Sequence, residues 1–119
     1  MNKVNLAEKF SEFEGYWDPK IVGELNNQYV KLAKFQGEFV WHHHENEDEL
    51  FLVVEGKLLI KLRDGDVELN EGEFFIIPRG VEHLPVAEKE AHILLFEPKA
   101  TVNTGETDSD KTVTDLDVI

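Results

Sequence analysis

The chain contains no cysteine, which excludes a disulfide scaffold, a thiolate metal site and a cysteine nucleophile, and which permits an intracellular home. Long apolar runs are missing too. Nothing approaches the ~20 residues that a membrane-spanning helix needs, and the opening MNKVNLAEKFSEFEGYW has no uninterrupted apolar core of the secretory kind. A cytoplasmic protein with no membrane partner is expected. Cationic residues are scarce: 12 Lys and Arg stand against 25 Asp and Glu, a formal net charge of −13. Phosphate backbones reward clustered lysine and arginine, so nucleic acid is not an expected partner either. No Ser-His-Asp arrangement, phosphate-cradling glycine loop or nucleotide fingerprint is visible.

What is present fits one small globular domain. A chain of 119 residues cannot supply two cores, and 41% hydrophobic with 31% charged residues is a soluble, folded composition. Turn signals recur about every 8 to 12 residues, as in an all-β sandwich or barrel. Three parts are expected: a helical segment over residues 1–19, a β-barrel over 20–100, and an acidic tail over 101–119. In the first, Val4, Leu6, Phe10 and Phe13 share one side of a short helix, with Asn5 as its cap and Glu8 three residues on. In the second, Lys20–Leu25 and Gln28–Phe35 form a hairpin about Asn26-Asn27. Asp64-Gly65 signals another hairpin, and Glu88-Lys89-Glu90 reads as a turn between Val81–Val86 and Ala91–Glu97. The tail either moves freely or lies across the domain through Val113, Leu116, Val118 and Ile119.

Chemistry concentrates in Gly37–Gly56, GEFVWHHHENEDELFLVVEG. Phe39, Val40 and Trp41 lead into the histidines as a strand, and residues two apart in a strand share a face. His42 and His44 therefore project together, while His43 points away. Glu45 to Asp48 read as a turn. The returning run Leu50–Val54 is apolar throughout, as in a strand covered on both faces; a second sheet, the N-terminal helix or a partner chain can cover the outer one, and a homodimer is expected. Glu49, at the start of that strand, can lie beside the histidine pair; a register shift would put Glu47 or Asp48 there instead. A second stretch, Gly72–His83, reads as strand, turn and strand, with Pro78 and Gly80 at the second and fourth positions of a type I turn.

Together these stretches read H-x-H-x4-E-x6-G over His42, His44, Glu49 and Gly56, and G-x5-P-x-G-x2-H over Gly72, Pro78, Gly80 and His83. They resemble the two signature motifs of the cupin superfamily, in its small single-domain metal-binding form. Gly37 stands one residue closer to the first histidine than the usual pattern, and Ala87 replaces the usual asparagine. The resemblance implies a double-stranded β-helix, or jelly-roll barrel, with a short N-terminal helix. It also implies a divalent transition metal (Mn, Fe, Co, Ni, Cu or Zn) held by His42, His44, Glu49 and His83, and a mouth open to a small-molecule ligand.

Three neutral imidazoles and one carboxylate leave such a site a charge of about +1, which suits anionic or chelating ligands. A six-coordinate ion would keep two positions open. Two classes of function are expected: a metal-dependent enzyme on a small polar metabolite, either a sugar or sugar-acid isomerase or a dioxygenase, or a non-catalytic ligand- or metal-binding sensor module. A sugar-phosphate site would need a cationic mouth, and only Arg79 and Lys57 are candidates. His43 and His92 fall off the inner face, so no independent general base is expected. Trp41 is read as a packing residue.

Overall fold

The computed structural model describes residues 1–119. One short helix, α1 (Leu6–Phe10), precedes seven strands: β1 (Lys20–Leu25), β2 (Gln28–Glu38), β3 (Glu49–Glu55), β4 (Leu58–Leu62), β5 (Gly65–Leu69), β6 (Phe74–Ile77) and β7 (His83–Pro98). Every strand pairing is antiparallel, with the order β1-β2-β7-β3-β6 and with β4 bridging β5 and β7. The expected all-β jelly roll with an N-terminal helix is the observed fold.

Asn5 caps α1 as expected, its side chain accepting from Glu8 N at 3.0 Å. The helix is shorter than the apolar spacing suggests. Val4 is exposed, and Phe13 is buried beyond the helix end, where Phe10, Phe13 and Leu32 pack as a small cluster. β1 has the bounds read from the sequence. The β4–β5 turn falls on Arg63-Asp64, because Leu62 pairs with Gly65, one residue before the Asp-Gly signal.

Two expectations fail at β7. Glu88-Lys89-Glu90 is no turn: the strand runs through it for 16 residues. β2 pairs along both of its parts, β4 with the first and β3 with the last, and register shifts at Phe35/Gly37 of β2 and Val53/Glu55 of β3 flank the change from β4 to β3. Such irregularities bend a sheet, so the three charged residues meet solvent on a curved strand. Gly56 fits against the same place. Its φ is +93°, and a Cβ there would meet Glu90 O at 3.1 Å and Ala91 Cα at 3.2 Å. The second correction concerns the Pro78 turn. Val81 N donates to Pro78 O at 3.2 Å, so Pro78 is the first residue and Gly80, with φ +83°, the third. A positive φ at that position belongs to type II, not type I.

The core lies between the two halves of the roll: Ala33, Phe35, Phe51, Val53, Leu58, Ile60, Ile77, Ile93 and Leu95 belong to one buried cluster that also takes in Trp17. Trp17 stacks on Phe35 at 4.2 Å and on Phe39 at 4.7 Å, while Tyr16 stays 43% exposed. The segment after β7 lies across the domain, one of the two alternatives the sequence left open. Val118 bridges Ile21, Asp117 pairs with Lys20 at 3.1 Å, and Thr107 Oγ1 donates to Trp41 O at 3.1 Å.

Candidate metal centre

The histidine segment does not form the expected strand. Between β2 and β3 its backbone makes a single antiparallel bridge, His42 to His83. His42 N donates to His83 O at 3.0 Å and His83 N to His42 O at 2.9 Å. The alternation nonetheless holds: His42 and His44 are each 3% exposed, and His43 is half-buried with Nε2 3.3 Å from Glu45. The bridge sets the His42 and His83 rings 4.2 Å apart. Gly80 N donates to His44 O at 2.8 Å, so the Pro78 turn fixes the third imidazole. Asp48 Oδ1 accepts from Arg79 N at 2.9 Å, tying the two motifs together and occupying Asp48. Glu49, the first residue of β3, is the carboxylate turned inward, 4% exposed.

One donor atom from each of His42, His44, Glu49 and His83 lies within 4.8 Å of every other, and all four residues are buried. Ligands on opposite sides of one ion, with bonds of ~2.1 Å, stand ~4.2 Å apart, so small adjustments bring the set onto a common centre. The ring orientations suit that purpose. His42 Nδ1 donates to Val40 O and His83 Nδ1 to Val81 O, each at 2.9 Å. A donor at Nδ1 leaves the lone pair on Nε2, and a backbone carbonyl behind the ring is a usual support for a metal-binding imidazole. His44 has no hydrogen-bond partner at either nitrogen although it is buried; its Nε2 is 3.3 Å from Glu49 Oε1 but off-line for a hydrogen bond. A buried, unpaired imidazole is costly unless something binds it.

The electrostatics agree. Burial, then the neighbouring His83, lowers the His42 pKa to about 4, so its ring is neutral and available as a ligand near neutral pH. Burial would raise Glu49, yet His44 and His83, the latter with Nε2 3.2 Å from Glu49 Oε1, outweigh it and hold the carboxyl well below its usual range. These residues fit a divalent transition metal; which one the donor set does not decide.

Beside the cluster opens a narrow cavity, with about 30 Å³ of space for the centre of a water-sized sphere. Trp17, Phe35, Phe39 and Phe51 wall it, His42 and Glu49 reach it from the metal side, and Glu97 and Asn103 complete it. Arg79 and Lys57 do not line it; Lys57 instead pairs with Glu68 at 3.6 Å. His92 stacks on Phe10 at 4.5 Å between Glu55 and Glu90, outside the site. Trp41 packs under the Arg63 guanidinium at 3.7 Å.

Sequence reasoning missed Lys31, Glu97 and Asn103. Lys31 and Glu97 form a buried ion pair at 3.2 Å, each side chain 3% exposed. A signal existed: Lys31 shares an inward face with Ala33 and Phe35, and Glu97 with Ala91, Ile93 and Leu95. Charges on the core face of paired strands call for an explanation. Asn103 lies in the closing segment, and nothing in its neighbourhood points to the cavity.

A family model described as a cupin domain matches residues 28–97. A cupin-2 domain protein from Shewanella frigidimarina has a similar crystal structure: TM-score 0.80, 46% identity, covering 81% of this chain and 94% of that one. The Bacillus subtilis protein YdbB, whose role is uncharacterized, is 44% identical over 63 residues, 52% of this chain and 56% of its own. A Xenopus laevis 3-hydroxyanthranilate 3,4-dioxygenase is 29% identical over 101 residues, 79% of this chain but 36% of its own. The chain thus spans about half of the Bacillus protein and about a third of the Xenopus enzyme.

Proposed function

This chain belongs to the cupin domain family, and from that premise we propose that it is a metal-dependent enzyme of the dioxygenase kind, acting on a small planar compound that chelates the ion through neighbouring oxygen or nitrogen atoms. One observation carries the proposal: a buried three-histidine, one-carboxylate cluster opens on a cavity walled by four aromatic rings. Flat aromatic walls favour flat ligands. A polyhydroxylated sugar would need many more hydrogen-bonding partners than this wall offers, and a sugar phosphate would need cations that Arg79 and Lys57 do not bring to it. The dioxygenase-named relative points the same way.

His42, His44, Glu49 and His83 would hold the ion. When bound, a redox-active divalent metal such as iron supplies open coordination positions and electron transfer to dioxygen. The protein's own part is to exclude water with Trp17, Phe35, Phe39 and Phe51, to hold the ligand flat, and to keep His42 unprotonated and Glu49 ionised so that neither leaves the centre near neutral pH.

The test is oxygen uptake. Protein loaded anaerobically with ferrous iron would be mixed with aerated catechol, with 2-aminophenol, and separately with a hexuronate. Uptake with the aromatic chelators, lost in Glu49→Ala, is expected. Isomerisation of the hexuronate without uptake by either aromatic would favour the isomerase reading, and ligand binding without turnover would favour a sensor module.

A further inference from the structure

Residues 102–116 form a loop that is pinned at both ends and bonded chiefly to itself between them. Before it, Lys99 N donates to Asn27 O at 3.1 Å; after it, Ile21 N donates to Asp117 O and Ile119 N to Ile21 O, both at 2.9 Å. Within the loop, Asn103 Nδ2 donates to Lys111 O and Asn103 Oδ1 accepts from Val113 N, both at 2.9 Å, and the Thr104 and Thr112 hydroxyls share a bond of 2.6 Å. One hydrogen bond, from Thr107 Oγ1 to Trp41 O at 3.1 Å, ties the loop to the rest of the protein. Charge does not hold it down, because its Glu106 shares a groove with Glu45 and Glu47 of the histidine segment. A loop closed on its own side chains moves as a unit, and one with few bonds to its surroundings opens at low cost.

The loop covers the metal centre. Gly105 rests so closely on the histidine segment that a Cβ there would overlap His43 O and stand 3.4 Å from His44 Nδ1. Asn103 is the loop's part of the cavity wall, and its bonds to Lys111 and Val113 mean that it travels with the loop. In the closed arrangement the cavity's 30 Å³ falls well short of the ~150 Å³ of an engineered cavity that takes up benzene. A ring-sized ligand therefore needs a wall to move. Phe35, Phe51 and Leu95 are fixed on the sheet, and Trp17 is stacked on Phe35 and Phe39 with Nε1 donating to Gln36 O at 3.1 Å. The loop is the wall that can leave.

We propose that residues 102–116 are the gate of the metal centre: swinging on its two pinned ends, the loop lifts Gly105 from His43 and draws Asn103 out of the cavity, and the ion and its ligand both pass through that opening. The inference needs the metal centre of the proposed function but not its reaction.

Cobalt uptake by metal-free protein, followed by its visible absorbance in a stopped-flow instrument, and cobalt release into excess EDTA give the two rates. Uptake by the parent should level off at high cobalt concentration, where opening of the loop becomes limiting. Thr107→Val keeps the shape and removes the tether; entry and exit should each quicken about fivefold, the worth of one neutral hydrogen bond, with affinity unchanged because a gate serves both directions alike. Gly105→Ala, which wedges the loop away from His43 O, should quicken both further. Parent rates in Thr107→Val, or faster exit without faster entry, would overturn the gate and leave the centre standing. A parent that takes up no cobalt would overturn the centre and the gate together.

Discussion

His42 and His83 owe their orientation to the backbone: each ring donates from Nδ1 to the carbonyl two residues earlier, and the two residues exchange main-chain hydrogen bonds. That repetition is why two distant motifs converge on one centre, and it has a pH signature in the metal-free protein. His42 titrates at about 4 when folded, against an ordinary value of 6.5. Between those values the unfolded chain binds the proton and the folded one does not, so stability is whole above pH 6.5 and is lost as pH falls toward 4. The loss is about 3 kcal/mol at most. Denaturant titrations of the metal-free parent and of His42→Asn across this range should show the parent falling relative to the variant; parallel curves would contradict the assignment. Lys31→Met alone, which strands Glu97, should cost about 3 kcal/mol and more than Lys31→Met/Glu97→Leu, measured the same way. At this scale the clustering of His42, His44, Glu49 and His83 was legible, because alternation puts His42 and His44 on one side whether or not the backbone forms a ladder. Lys31 and Glu97 were not, because each looks like an ordinary surface charge until its strand's inward face is known.

Elements with a regular period were read well and irregular ones were not. β1 and the apolar β3 follow directly from alternation and flanking turns, and the hairpin from β4 to β5 slipped by one residue because strand pairing, not the Asp-Gly pair alone, sets the register. The sequence pattern divides β7 in two, because Glu88, Lys89 and Glu90 interrupt its apolar run. A curved strand that changes partners shows its polar residues to solvent at the bend, and the local sequence cannot distinguish that from a turn. Gly56 guards the same bend. Gly56→Ala would combine a disfavoured φ with contact against Glu90 O and Ala91, and should lower stability by about 2 kcal/mol in thermal denaturation. Wild-type stability would mean that the bend has room to relax.

The molecule as a whole carries a charge of −13, while a filled centre would carry about +1 through three neutral imidazoles and one carboxylate; on the proposed function, a small chelator would be drawn by the site, not by the surface. No helix is long and apolar enough to cross a membrane. We propose that the chain pairs as a homodimer through the outer face of β3 and β6, where Leu50 faces Ile76 and Leu52 faces Phe74, and where Phe74 remains 59% and Ile76 49% exposed. Light scattering after gel filtration should find a dimer for the parent and a monomer for Phe74→Glu/Ile76→Lys. The most direct test of the centre is elemental analysis of untagged protein beside His42→Ala and His83→Ala. About one transition-metal ion per chain, lost in both variants while each stays folded, is expected. A parent that holds no metal even after reconstitution, or a His83→Ala variant that keeps its full content, would contradict the four-residue centre.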